Sequence, residues 1–444
     1  MSGRSAGAGL IAGGITGAIV GGSATVGTAQ MAAVFGLSAW WFTLGSGIGL
    51  AILAVFYARP LRRSRLETIP QFLSLSFGRG AGPMMSVISS LGILFSAVAS
   101  SLSGIHLIAA MFAVAHWQAA GIILILVIAY VVFGGMRGAG VSGLLKMAVL
   151  GTALCVGGIG AVVALARMPD FASVFPAFPW LSLLARGGDT VGNALSLIVG
   201  IVCTQTYVQA IYSASDARVA TIGTLTAAAI TLPVGLPSVA IGMFMHAQHP
   251  DLAPVMALPM YLAWYLPGWL GGIGLAGILL SVVGSIAGLT LGIGTMIAND
   301  IARGVLRVAS DARILMTNRA SIAAVTCLAL AIALANLDSY VLDWNYMSMA
   351  LRGAGVFVPL TFAIFRPGAL RPAWALVSMA LSTLAAVACH LLAFPLNPLF
   401  AGLSVSLGII ALALLTRVVS GRAEKNPAAT ARGAGKEGAR ANAP

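Results

Sequence analysis

Arg352 stands in the run Met349-Ala350-Leu351-Arg352-Gly353-Ala354-Gly355, a charge among apolar residues and glycines. A guanidinium there can hold a carboxylate through two parallel hydrogen bonds, or close a gate through an ion pair with Asp343 or Asp189. Lys146 is the second cation inside an apolar stretch. It can snorkel to an interface, serve packing or gating, or exchange a proton if it is truly buried. A third place is Cys203-Thr204-Gln205-Thr206-Tyr207-Val208-Gln209. Gln205 and Gln209 are spaced i,i+4 and share a helix face. Amides at that depth must bond between helices or look onto a polar cavity, with Thr204 and Tyr207 beside them. A fourth is Gly13-Gly14, Thr16-Gly17 and Gly21-Gly22-Ser23, where small residues either pack helices closely or mark an interrupted helix with free carbonyls. Ser281, Gly284 and Ser285 form a small, oxygen-bearing stripe at i, i+3 and i+4. Seen alone, such a stripe is packing more often than an ion site.

Other chemistry is missing from the pattern. His106, His116, His246, His249 and His390 are scattered, without HExxH or a Ser/His/Asp set, so the chain is not expected to be an enzyme. Cys155, Cys203, Cys327 and Cys389 lie in apolar runs without metal spacing and read as small buried hydrophobes, so no cofactor is expected.

These residues need elements to hold them, and composition says which. Of 444 residues, 59% are hydrophobic and only 8% charged, against about 25% charged in soluble domains. The chain is therefore an all-α polytopic membrane protein. At roughly 20 apolar residues per crossing, twelve spans fit: 8–31, 36–57, 84–113, 117–135, 141–166, 190–213, 218–246, 269–300, 320–337, 345–365, 373–394 and 399–416. The third, seventh and eighth are long enough to tilt or bend. Residues 418–444 read as a disordered basic tail. With both termini cytoplasmic, twenty of the 24 Lys and Arg fall inside and only Arg167 and Arg186 outside, leaving Lys146 and Arg352 within spans. That bias fixes the orientation, in a membrane expected to be the prokaryotic plasma (inner) membrane. It also explains the net charge of +13 without nucleic acid.

The interrupted spans are the first and the sixth, at matching places in two sets of five. Broken helices so placed point to a transporter built of inverted repeats, with its site at the midplane. A twelve-helix facilitator of another fold fits the span count equally, but residues 58–83 lack the Gly-x-x-x-Asp-Arg/Lys pattern it would carry.

Several segments then match in order. Gly3-Arg4-Ser5 followed by Gly21-Gly22-Ser23-Ala24-Thr25-Val26-Gly27-Thr28-Ala29 resembles the opening of the sodium/solute symporter family. Glu67-Thr68-Ile69-Pro70-Gln71-Phe72-Leu73, Phe77-Gly78 and Gly134-Gly135-Met136-Arg137 are similar to its later motifs. So are Gln205-Thr206-Tyr207-Val208-Gln209 with Ser215-Asp216, and Thr295 with Asn299-Asp300-Ile301. The resemblance implies a LeuT-type fold: a transporter core over 1–366 with repeats near 8–166 and 190–366, then two peripheral helices over 367–417. It implies sodium-coupled symport of a small polar or anionic organic solute. The sodium would be held by helix-1 carbonyls at Gly17 and Val20, with Ser281, Gly284 and Ser285 of helix 8. The solute would lie against Gly21, Gly22, Ser23, Thr204, Gln205, Tyr207 and Gln209. The chain departs from the family pattern at Gly284, where a second hydroxyl is common, and at Gly143, where an aspartate is frequent. Some relatives place a span-5 lysine where sodium would sit, so proton coupling through Lys146 is the alternative expectation.

Overall fold

The computed structural model describes residues 6–298, 302–303, 310–392 and 394–424, with the side chains of all of these but 132–147 and 418–424. Apolar runs without water to hydrogen-bond their backbone must satisfy it internally, and helices do so. The described residues form no strand, and nineteen α-helices run in this order. They are α1 (Ala8–Ile19), α2 (Thr28–Phe35), α3 (Trp41–Ile52), α4 (Ala58–Arg63), α5 (Ile69–Phe77), α6 (Ala81–Phe112), α7 (His116–Ala166), α8 (Phe171–Val174), α9 (Ala177–Trp180) and α10 (Gly188–Val202). Then come α11 (Gln205–Tyr212), α12 (Ala217–Val234), α13 (Leu236–Gln248), α14 (Ala257–Trp264), α15 (Gly268–Met296), α16 (Asp311–Ala335), α17 (Val341–Phe365), α18 (Pro372–Leu391) and α19 (Pro398–Glu424).

Among the described residues ten helical stretches are long and apolar enough to cross a bilayer. The expected twelve are reached with two shorter apolar pieces. One is α1, cut off by a break after Ile19. The other is His116–Val131, the first flank of α7. Both flanks of α7 cross the same slab. Ile123 sits beside Gly104 of α6, which also meets Val282 of α15, while Leu150 sits beside Gly277 of α15. Val282 and Gly277 are only about 7.5 Å apart along their helix, whereas a straight α7 would separate Ile123 from Leu150 by about 40 Å. The fourth and fifth spans are therefore separate crossings, as the hydropathy required.

The seventh span is bent, as its length suggested. Pro233 closes α12, and α13 starts after Gly235, whose missing side chain makes room for Thr43 of α3. Large apolar side chains such as Val55, Ile125, Ile159, Leu384 and Leu415 point outward, which suits a lipid-facing belt. Helices α18 and α19 pack on one another and on α17, outside the bundle. Helix α19 continues to Glu424, so the start of the expected disordered tail is helical. Its Arg, Ala and Glu residues propagate a helix well, which the basic composition had masked.

Candidate functional site

The first break is local. Val20 leaves the helix with φ −79° and ψ 78°, its N–H still on the Thr16 carbonyl at 2.8 Å, and Gly21 N–H turns back to Ile19 at 2.9 Å. A π-helical stretch, Ser23–Gly27, then leads into α2. The glycines are needed for approach: a side chain on Gly22 would run into Ser103 of α6 and Val282 of α15, and one on Gly21 into the Ser285 hydroxyl. The second break is at Cys203-Thr204, where Thr204 is extended (φ −86°, ψ 114°) between α10 and α11. Just before it, Gly200 lies against the Met349 backbone of α17. Both interruptions expected from glycine and polar density are thus present.

Between them lies a cavity of ≈ 50 Å³. Gly21 and Ser23 from the first break and Thr204, Thr206 and Tyr207 from the second form two of its walls. Phe42 and Ser46 of α3, Ser96 and Ser100 of α6, Ser285 and Leu289 of α15, and Asn345, Met349 and Arg352 of α17 complete it. Sequence reasoning had missed Ser96, Ser100, Ser46 and Asn345. Ser96, Ser100 and Ser103 are spaced i, i+4 and i+7, a signal like that of the α15 stripe.

The expected solute wall is only partly assembled. Gly21, Ser23, Thr204 and Tyr207 line the cavity, but Gly22, Gln205 and Gln209 do not. Gly22 is sealed against α6 and α15. Gln205 is buried with its Oε1 accepting the Ile69 N–H at 2.9 Å, so it holds the first turn of α5. Gln209 lies a turn further along α11, half-buried.

Arg352 is buried, and its environment corrects the gate expectation. Asp343 pairs instead with Arg186 at 3.1 Å, and Asp189 is an exposed first-turn residue of α10. The Arg352 guanidinium reaches Thr204 Oγ1 at 2.9 Å, Ser96 Oγ at 3.0 Å and the Ser348 hydroxyl and carbonyl. It bridges α17, α6 and the second break.

On the opposite flank, α15 meets the first break. Ser281 Oγ donates to the Val20 carbonyl at 2.9 Å. Ser285 Oγ is buried without a hydrogen-bond partner among the described residues and faces Gly21. Gly17 is buried one turn before the break, whereas Gly284 faces open space. A free hydroxyl beside a carbonyl at a helix break is the kind of oxygen set a hard monovalent cation can use. The side chain of Lys146 lies outside the described residues, as do Asn299 and Asp300, so the proton alternative gains nothing there.

The cavity is closed at one end, and among the described residues the other end is less covered. Above it, the Gln30 amide of α2 accepts the Val341 N–H at 2.9 Å and donates to the Ser339 carbonyl at 3.3 Å. Phe35 stacks edge-on with Tyr340, Phe42 with Tyr346, and the Arg186 guanidinium lies 4.9 Å from the Phe35 ring. At the arginine-rich end, Ala18 on the cavity wall is exposed, and Gly14, Gly288 and Gly292 face open space.

Solved structures agree with this architecture. A Na+-coupled sialic acid symporter, in a substrate-bound outward-open state, matches at TM-score 0.74 and 15% identity, covering 94% of this chain and 91% of that one. A nucleobase-cation-symport-1 family transporter, closed with bromovinylhydantoin bound, matches at TM-score 0.56 and 13% identity over 93% and 92%. At such identities the likeness shows the LeuT-type fold. No curated protein matches the chain. The sodium:solute symporter family description matches residues 1–380, most of the chain with both breaks and the cavity between them. This integral membrane protein belongs to the sodium:solute symporter family.

Proposed function

We propose that the protein couples sodium entry to uptake of a small polar or anionic organic solute by alternating access, in a prokaryotic plasma membrane with both termini cytoplasmic. The single observation that supports it best is the orphaned Ser285 hydroxyl beside Gly21, with Ser281 already on the Val20 carbonyl. Sodium would enter between these oxygens, Gly17 and Gly284 adding backbone carbonyls. Its charge would draw the N-terminal half of span one toward α15. Solute would lie next to it against Gly21, Ser23, Thr204 and Tyr207, so that each ligand favours the same closed arrangement. Residues 1–366 would form the moving core and 367–417 its peripheral pair.

Proton coupling is the second reading, favoured by one observation: Gly284 presents no hydroxyl where a second one would complete the site. Uptake into vesicles with a sodium gradient alone, or a pH gradient alone, separates the two. Uptake is expected to follow sodium and ignore pH. Sodium-independent, pH-driven uptake that disappears in Lys146→Ala overturns the sodium reading.

A further inference from the structure

The cavity wall carries one full charge, and among the described residues no carboxylate stands opposite it. Arg352 is 1% exposed, and among the described residues the ion pairs are Arg186–Asp343 and Arg303–Asp311, both elsewhere. The ionisable neighbours of Arg352 are Tyr207 and Cys203, side chains ordinarily neutral at pH 7. Among the described residues, every hydrogen bond of the guanidinium is to a neutral oxygen. Nε donates to the Ser348 carbonyl at 3.2 Å, Nη1 to Thr204 Oγ1 at 2.9 Å, and Nη2 to Ser96 Oγ at 3.0 Å and to Ser348 Oγ. Those hydroxyls have their own protons committed. Thr204 donates to the Gly200 carbonyl at 2.8 Å, Ser348 to the Gly92 carbonyl, and Ser96 bonds the Ser348 oxygen at 2.7 Å. They present lone pairs that solvate the cation without neutralising it, so the charge remains uncompensated. Its position is also built in. A side chain on Gly92 would collide with Cγ and Nε of Arg352, so only glycine lets the guanidinium lie flat against α6.

We infer that the solute is a short-chain monocarboxylate whose carboxylate is received by Arg352, a substrate class that rests on the symport reading above. A carboxylate presents two oxygens at the spacing of the guanidinium fork. They replace the Ser96 and Thr204 oxygens, both on the cavity wall, while Ser348 stays behind and keeps Nε in place. Among the described residues Arg352 is the only cation lining the cavity, so a second carboxylate would arrive unpaired and a monoanion is preferred. The ≈ 50 Å³ available amounts to a few water-sized volumes at about 10–15 Å³ each, which limits the chain length.

The test is calorimetric titration of the purified full-length protein with propionate, propionamide and succinate, with and without sodium. Propionate is expected to bind at least about tenfold more tightly than the neutral amide or the dianion. Arg352→Gln should weaken propionate by about 10–100-fold while binding of radioactive sodium persists. Arg352→Lys, which keeps the charge but loses the fork, should fall between the two. Propionamide or succinate binding as well as propionate overturns the inference, as does equal displacement of propionate by chloride at the same concentration. The first comparison uses the unaltered chain, so a variant that fails to fold leaves it decisive. If propionate is preferred but sodium leaves its affinity unchanged, the symport reading fails and the carboxylate assignment stands.

Discussion

A single oxygen atom gives the finest test of the cation site. Ser285→Ala removes a hydroxyl that bonds to nothing among the described residues, so the fold should keep its stability. Half-saturation of uptake by sodium is expected to rise about 10–100-fold. An unchanged sodium dependence would remove Ser285 from the site. Gln205 behaves oppositely, because its amide is committed to Ile69 at 2.9 Å. Gln205→Leu orphans a backbone N–H at the start of α5 and should cost about 1–3 kcal/mol of stability. Melting should fall while the solute KM of the surviving protein stays put; a raised KM would return Gln205 to the solute wall. The sequence could place both residues at membrane depth but not say which way their polar atoms turned. Thr224, Thr231, Thr290 and Thr326 show why, each spending its hydroxyl on the carbonyl four residues back. A hydroxyl in a helix commonly satisfies itself locally, so hydroxyl content alone does not locate a cavity.

At the scale of elements, the closed end is held where α2 meets the start of α17, and the segment before α10 lies across both. Arg186 contributes by its pair with Asp343 and by resting on Phe35. The pair is part-exposed, 20% and 42%, so it is worth only about 0.2–1 kcal/mol. Asp343→Asn should therefore shift the balance toward the state open at this end by about 1.4- to fivefold. Labelling of a cysteine placed at Phe42 by an impermeant maleimide should accelerate by that factor; an unchanged rate would mean the aromatic pairs and Gln30 hold the closure alone. This latch was not legible. The sequence offers Asp343, nine residues along the same helix, or Asp189 as partners of Arg352, because the segment that brings Arg186 over α2 is placed by tertiary packing. The breaks themselves were legible, because glycine pairs and amides in mid-membrane contradict a plain span wherever they occur.

For the molecule as a whole, apolar run length made the membrane class and the span order readable, and the resemblance of its motifs implied the fold before any packing was known. What the packing added is an asymmetry, sealed at one end by rings and an amide and, among the described residues, less covered at the other. On the less covered side, the surfaces that would have to meet are Gly14 and Ala18 of α1 and Gly284, Gly288 and Gly292 of α15. Glycine and alanine have no rotamers to freeze, so bringing these two ridges together costs almost no side-chain entropy. Small residues also let the backbones touch closely over a long contact. Closing this end therefore carries little side-chain entropy cost, so what the bound ligands add weighs directly on it.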